Sequence, residues 1–256
     1  MAEPNLELLL LGTGTCVPSV ERNSSGYAVR YGATILLLDI GNGIQKRLLE
    51  AKVDYRYVDG IFISHFHPDH TTDLIPFLFA TRHTPGFSRI DPLILAGARG
   101  LRDFVDNMSE IYGDWVKQPG FPLEVRELDS DKVELGPLKI RSVPVNHSEN
   151  ALAFRVTAPN GKSLTYSGDT GFCDSIVRLA KDTDLLLIEC SFPTAMRING
   201  HLTPPEVAKI ARDCNCKRVV LTHLYPVFGD ENPADEVSRY FDGEVILGED
   251  LMRLQI

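Results

Sequence analysis

The residues best able to do chemistry lie in one short segment, which reads His-Phe-His-Pro-Asp-His at positions 65–70. It places three imidazoles and one carboxylate together, in a chain that has seven histidines in all. Imidazole and carboxylate groups together suit zinc, iron or manganese. The segment follows a largely apolar run at positions 58–64, which is typical of a buried strand. Because a strand that ends in a tight turn can aim several ligands at one point, we predict a metal site here.

Three further residues of metal-binding type each follow an apolar, strand-like run. They are His147, Asp169 and His223. Residues at strand ends lie in loops, which are where sites form. Taken together with the 65–70 segment, they predict a site for two metal ions. We assign His65, His67 and His147 to one ion, Asp69, His70 and His223 to the second, and Asp169 to a position between the two.

Composition limits the class of protein. The chain has 256 residues, 43% of them hydrophobic, which suffices for one sizeable core. Its net charge is −9 and it has no long cluster of Lys or Arg, so a broad nucleic-acid-binding face is not predicted. Two bound divalent cations would nevertheless cancel much of the negative charge near a site. The odd number of scattered cysteines, with no signal-peptide pattern and no membrane-length apolar run, predicts a cytoplasmic protein with no membrane partner.

The elements that must position these residues follow from periodicity and turn residues. Strand-like runs open each half of the chain, and strands then alternate with helices, which predicts an α/β fold, an αββα sandwich of two sheets with helices outside. Thr203 to Glu206 has the Thr, Pro and Glu pattern of a capped helix start. We predict helices over 43–52, 72–81, 101–115, 174–181, 204–214 and 233–241, and strands over 6–11, 27–31, 35–39, 61–64, 92–96, 123–128, 138–145, 152–157, 163–166, 185–189 and 218–221.

Two histidines stand outside the predicted metal ligands. His201 comes just before the capped helix start, a position that favours approach to an anion. His83 lies beside Pro85 and Gly86, and we predict that it is a surface loop residue.

Together these residues resemble the metallo-β-lactamase superfamily, and within it the ribonuclease Z branch, over nearly the whole chain. The resemblance implies one domain of the metallo-β-lactamase type over residues 1–256, two mixed sheets flanked by helices, and two divalent metal ions. Zinc is usual, and manganese or iron also suit the ligands. A homodimer and cleavage of phosphodiesters, notably at the 3′ trailer of precursor tRNA, are implied as well. The segments that carry the resemblance are 11–14, 21–23, 39–45, 64–70, 168–170, 188–190, 201–203 and 221–223.

The resemblance also implies catalytic roles for three residues. His201 matches the histidine that contacts the scissile phosphate, and Glu189 matches the acidic residue that orients that histidine. Asp69 is expected both to bind a metal and to accept a hydrogen bond from a metal-bridging hydroxide, which attacks phosphorus. All seven ligand positions are filled, which disfavours a non-catalytic scaffold.

One departure from the branch leaves the substrate open. Ribonuclease Z carries a long basic arm, in many members between the two motifs that here contain His147 and Asp169. These two residues are only 22 positions apart and are joined by a predicted hairpin, so no arm fits. The predicted substrate is therefore an RNA 3′ end or a small phosphodiester such as a cyclic nucleotide. The alternative is a lactonase or β-lactamase, which the same hydroxide can serve, although His201 with Glu189 favours phosphate.

Overall fold

The computed structural model describes residues 4–256, and its first sheet is built from the first half of the chain and the extreme C-terminus. Strands β1 to β3 pair antiparallel, β3 to β6 pair parallel, and β14 pairs antiparallel with β1 at the edge. The order across the sheet is β14-β1-β2-β3-β4-β5-β6. The strands are β1 Leu6–Gly12, β2 Gly26–Tyr31, β3 Thr34–Leu38, β4 Gly60–Ile63, β5 Leu93–Ala98, β6 Leu123–Leu128 and β14 Arg253–Gln255.

The second sheet repeats this plan with the second half of the chain. Strands β7 to β10 pair antiparallel and β10 to β13 pair parallel, in the order β13-β12-β11-β10-β9-β8-β7. The strands are β7 Lys132–Leu135, β8 Leu138–Pro144, β9 Leu152–Thr157, β10 Ser163–Tyr166, β11 Leu185–Glu189, β12 Arg218–Thr222 and β13 Glu244–Leu247.

Helices cover the outer face of each sheet. The first sheet packs against helices of the first half through a buried apolar cluster that includes Leu48, Phe77 and Val105. The second sheet packs in the same way against later helices through Ile176 and Val207. The helices are α1 Ile44–Glu50, α2 Pro68–Thr71, α3 Leu74–His83, α4 Leu101–Tyr112, α5 Asp174–Leu179, α6 Pro204–Asp213 and α7 Pro233–Val237.

The two sheets meet in a third buried cluster, which takes side chains from both. Leu8 and Phe62 of the first sheet lie in it with Phe154 and Leu187 of the second. Phe62 and Phe154 contact each other edge to face, with ring centroids 5.7 Å apart. The layers therefore run helix, sheet, sheet, helix, which confirms the predicted αββα sandwich. No helix within the described residues combines the length and the apolar character that crossing a membrane requires.

Local sequence explains most element boundaries. Over the first five residues of β8 the side chains alternate between core and solvent: Leu138 and Ile140 are buried, while Lys139 and Arg141 are exposed. At the start of α6 the predicted capping box is present, with the Glu206 carboxylate accepting from the backbone N–H of Thr203 at 3.0 Å.

Three strands and one helix were not predicted. Strands β7, β13 and β14 lie at sheet edges, are only three or four residues long, and have side chains that are mostly exposed or half-exposed. Helix α2 is a single turn that begins with Pro68 at its first position, so the helical region starts earlier than the predicted residue 72. His83 is exposed as predicted, but it is the last residue of α3 and not a loop residue.

Candidate metal centre

The predicted ligands converge where the strands of both sheets end. His65 and His67 follow β4, and the helical turn α2 then places Asp69 and His70 side by side. The second sheet brings the remaining ligands, His147 after β8, Asp169 after β10 and His223 after β12. All seven fall into two groups whose ligand atoms lie within 4.8 Å of one another, and Asp169 stands with the first group.

The first group consists of three histidines whose nitrogens face one another. His67 Nδ1 lies 2.9 Å from His65 Nε2 and 3.2 Å from His147 Nε2. Asp169 Oδ2 lies 3.7 Å from the Nε2 atom of both His65 and His147. The four atoms surround a common point, and His67 is exposed to solvent beside it.

The second group has the same form but lies deeper. Asp69 Oδ2 lies 3.6 Å from His70 Nε2 and 3.4 Å from His223 Nε2. Asp169 Oδ2 lies 3.5 Å from His70 Nε2 and 3.4 Å from His223 Nε2. One oxygen of Asp169 therefore lies within 3.7 Å of a histidine nitrogen in each group, which is the placement that a shared ligand needs.

Two observations test whether this cluster fits metal ions. His70 Nε2 and Asp169 Oδ1 are fully buried and have no hydrogen-bond partner among the described residues, which is costly unless something else satisfies them. The spacing of the donor atoms also fits, because tetrahedral metal–nitrogen bonds of about 2.0–2.1 Å put neighbouring ligand atoms about 3.3 Å apart. The residues present therefore fit two metal ions.

Electrostatics in the cluster favour a positive charge. Burial lowers the pKa of His65 well below its ordinary value, so the ring is neutral and keeps a lone pair for a metal. Burial acts in the same direction on His70, but the carboxylates of Asp169 and Asp39 outweigh it and raise the pKa of His70 well above its ordinary value. The pocket thus stabilises a cation at this point, whether a proton or a metal ion.

Asp39 orients the deeper group. It is fully buried at the end of β3 and has a left-handed backbone with φ 59°, which is uncommon for a residue other than glycine. Its Oδ2 accepts hydrogen bonds from His70 Nδ1 at 2.7 Å and from the Tyr166 hydroxyl at 2.6 Å. A proton on His70 Nδ1 leaves Nε2 as the lone pair that faces the cluster. Sequence reasoning missed this role, although a carboxylate at the end of a buried strand was a usable signal.

The first group, which is the outer one because His67 is exposed, is oriented by weaker hydrogen-bond partners. The Gly200 carbonyl accepts from His147 Nδ1 at 2.9 Å, and the Ser64 hydroxyl lies 3.0 Å from His65 Nδ1. Both contacts leave the Nε2 atoms turned toward the cluster. Neither involves a charged partner, in contrast to the contact between His70 and Asp39.

The half-buried His201 and the buried Glu189 form an ion pair beside the cluster. His201 Nδ1 lies 3.0 Å from Glu189 Oε1, and the same oxygen accepts from the backbone N–H of Thr170 at 2.7 Å. Burial would lower the pKa of His201, but the hydrogen bond and the charge of Glu189 outweigh it and raise that pKa above its ordinary value. His201 also lies within 4.8 Å of the ligand atoms of Asp169 and His223. An imidazolium held there can contact an anion at the metal centre.

Two cavities open beside the cluster. A polar cavity of about 230 Å³ reaches Asp69 and is lined by Arg22 and Asn23. A larger cavity of about 830 Å³ borders Phe66 and is mostly apolar. Among the described residues that line the two cavities, Arg22 is the single Lys or Arg side chain. The cleft therefore has room for a substrate but little positive charge of its own.

The comparisons with known proteins agree with this geometry. The family model described as beta-lactamase superfamily domain matches residues 34–224. Ribonuclease Z of Methanosarcina acetivorans is 29% identical and aligns over 98% of this chain and 98% of its own. The metallo-beta-lactamase fold protein YhfI of Bacillus subtilis superposes with a TM-score of 0.85 at 23% identity, covering 97% of this chain and 99% of YhfI. Human tRNase Z, short form, superposes with a TM-score of 0.79 at 25% identity, covering 97% of this chain and 98% of the human chain.

The chain belongs to the beta-lactamase superfamily and is a ribonuclease Z-like member of it. The predictions of the family, of the sandwich fold and of a metal-dependent hydrolase are confirmed. The structure brings all seven predicted ligands together in the predicted groups, with Glu189 and His201 beside them. Their individual roles as ligands and catalytic groups stay predictions, and His83 lies outside the site, against Phe79.

Proposed function

We propose that this protein hydrolyses phosphodiesters at a site of two divalent metal ions, with zinc as the first choice and manganese or iron as substitutes. The observation that carries the proposal is the Glu189–His201 ion pair, which lies beside the two groups of predicted metal ligands. A cationic imidazole at that place suits a phosphate, which is an anion before and during reaction. The carbonyl of a lactone or lactam is neutral before reaction and carries negative charge only in the transition state.

The distances between the ligand atoms divide the seven ligands into two sets. His65, His67 and His147 would hold one ion, Asp69, His70 and His223 the other, and Asp169 would lie between them. When bound, two such ions supply an activated water at neutral pH and stabilise negative charge on a phosphoryl group. Asp69 is buried, and its Oδ2 lies within 3.6 Å of the Nε2 atoms of His70 and His223; it would also accept a hydrogen bond from the attacking water.

His201 acts on the leaving side. Because its Nδ1 proton is donated to Glu189, its Nε2 proton remains for the substrate. In the proposed reaction that proton stabilises the phosphoryl oxygens or passes to the leaving oxygen. Glu189 keeps the ring cationic and oriented, and it is itself held by two backbone N–H groups, those of Thr170 and Leu202.

Three observations bear on the size of the substrate. The connection between β9 and β10 consists of residues 158–162, which supports the prediction that no long basic arm is inserted there. The scarcity of Lys and Arg beside the cluster favours a small phosphodiester. Human tRNase Z and ribonuclease Z, which this chain resembles over nearly its full length, favour an RNA 3′ end. The proposed substrate class is therefore a phosphodiester of one of these two sizes.

Three further properties are proposed as well: the domain organisation, the oligomeric state and the cellular location. We propose one domain over residues 1–256, supported by the core cluster that both sheets share. A homodimer is supported by exposed apolar side chains on α3 and α4, where Phe79 is 49%, Ile111 72% and Tyr112 52% exposed. A cytoplasmic location is supported by the five cysteines, none of which forms a disulfide. Sedimentation of the purified protein tests the dimer directly.

The test of the activity is cleavage of a 3′-extended precursor tRNA by metal-reconstituted protein, beside a chromogenic phosphodiester and a chromogenic lactone. We expect the phosphodiester to be cleaved and the lactone to be left nearly intact. Cleavage of the tRNA just after its discriminator base would identify RNA as the substrate, whereas an uncut tRNA beside a cleaved chromogenic ester would identify a small molecule. Lactone hydrolysis far faster than phosphodiester hydrolysis would overturn the proposal.

A further inference from the structure

One buried hydroxyl group contacts both the predicted metal ligands and the Glu189–His201 pair. Ser191 follows β11 and is completely buried. Its Oγ lies 2.5 Å from Glu189 Oε2 and 3.0 Å from His223 Nδ1. It also lies 3.3 Å from His201 Nδ1. A single side chain therefore contacts a proposed metal ligand, the proposed proton donor and the carboxylate that orients that donor.

The direction of these hydrogen bonds follows from the chemistry of the groups. Glu189 accepts two backbone N–H groups and His201 Nδ1 in addition to Ser191, a set of donors that stabilises an ionised carboxylate. An ionised carboxylate can only accept, so the single hydroxyl proton of Ser191 is donated to it. The Ser191 oxygen is then left to accept, and the group that donates to it is His223 Nδ1–H.

This direction decides the tautomer of His223. With the ring proton on Nδ1, Nε2 keeps its lone pair and points at Asp69 Oδ2 and Asp169 Oδ2, both 3.4 Å away. The opposite tautomer would put a proton where the metal is expected. It would also leave a bare ring nitrogen facing an oxygen that has no second proton to give.

We propose that Ser191 is a positioning residue that holds His223 in its metal-binding tautomer and, through Glu189, links the deeper metal position to the orientation of His201. The metal-binding half of this inference depends only on the donor cluster, and the His201 half rests on the proposed function. Loss of a hydrogen-bond partner that orients a metal ligand typically lowers metal affinity or activity by about 10–100-fold.

The test is Ser191→Ala, with Ser191→Thr as the variant that keeps the hydroxyl. We expect Ser191→Ala to bind the metal at the deeper position about 10–100-fold more weakly in a calorimetric titration, while the outer position binds as in the original protein. Ser191→Thr should restore most of that affinity. The matched control is Ser142→Ala, which removes another buried hydroxyl that bonds only the backbone of Asp129 and Asp131.

A measurement on the original protein tests the tautomer without any variant. In metal-depleted protein, nitrogen NMR of the histidine rings should show His223 protonated at Nδ1. In Ser191→Ala the same ring should shift toward the other tautomer or toward a mixture. A general loss of stability would not move one ring alone, so this readout separates positioning from a structural role.

Several outcomes would overturn the inference. His223 protonated at Nε2 in the metal-depleted original protein would do so even if Ser191→Ala fails to fold. So would two metal equivalents bound to Ser191→Ala with unchanged affinity. Absence of phosphodiester cleavage by the original protein contradicts the proposed function instead, because neither metal affinity nor tautomer depends on a substrate.

Discussion

The two proposed metal positions use similar ligands in very different surroundings. His70 and His223 of the deeper position are 0% and 2% exposed, whereas His67 of the outer position faces solvent. The deeper histidines are held by the Asp39 carboxylate and the Ser191 hydroxyl, both buried. The outer ones rest on a serine hydroxyl and a backbone carbonyl. The deeper position is thus fixed by the core, and the outer one is open to exchange and to substrate.

This difference has an energetic reason. A buried charged partner costs free energy to desolvate, and it is retained only where it is fully hydrogen-bonded. Asp39 meets that condition, because Ser64, His70 and Tyr166 all donate to it. The buried carboxylate partner is therefore found at the deeper position. At the outer position, His67 is exposed and can be hydrated.

The largest effect is expected when the residue that both positions share is removed. Asp169→Ala should lose both metal ions and reduce hydrolysis to the background rate, because one oxygen of Asp169 faces histidines of both groups. Metal content by mass spectrometry, measured with turnover, tests this expectation. Full metal occupancy in the variant would show that Asp169 is not a shared ligand. Asp184→Ala, which removes another buried carboxylate, one that contacts Lys217 and the backbone N–H of Ser163, is the control.

The next effect separates proton transfer from metal binding. His201→Ala should lower turnover by about 10²–10⁴-fold, the usual range for a lost general acid, while both metal positions stay filled. Turnover and metal content are measured on the same preparation. His83→Ala, which removes a histidine outside the site, should leave both unchanged. Equal turnover in the two variants would refute the role of His201.

A smaller effect should fall on the deeper position alone. Asp39→Asn keeps the size of the side chain but removes the charge that holds His70, so the deeper metal should bind about 10–100-fold more weakly. Calorimetry should then show one tight and one weakened equivalent. Asp73→Asn is the control, because Asp73 accepts only from the backbone N–H of Gln45. Equal weakening of both equivalents would contradict the separate origin of the two positions.

Metal removal should follow the difference in exposure. Under dilute chelator the metal should leave in two phases, and the first should correspond to the outer position, whose His67 is exposed. His67→Ala should lack that first phase, since it removes an outer ligand only. Stopped-flow release of metal into an indicator dye measures both phases. A single phase in the original protein would mean that exposure does not govern exchange here.

The smallest effect lies outside both positions. Thr203→Ala breaks the capping box of α6 and should lower the free energy of unfolding by about 1 kcal/mol, with metal content unchanged. Thr203→Ser retains the capping oxygen and should lose little. Chemical denaturation of the three proteins measures the difference. A loss of metal in Thr203→Ala would show that the helix start also positions the site, through the nearby His201.

The sequence by itself predicted the seven residues that cluster at the candidate metal centre, because the information that marks them is local. The ligands at positions 65–70 lie within six consecutive residues, and His147, Asp169 and His223 each follow a recognisable strand. The capping box needed only four consecutive residues. The central strands were predicted for the same reason, since their buried residues form continuous apolar runs.

Tertiary structure decided what depends on distant partners. The edge strands β7, β13 and β14 are only three or four residues long and are defined by the neighbour to which they bond. Asp39 meets His70 across 31 positions, and Ser191 meets His223 across 32. Which nitrogen of each ring faces the cluster, and which metal position is buried, are therefore set only when both sheets have packed together.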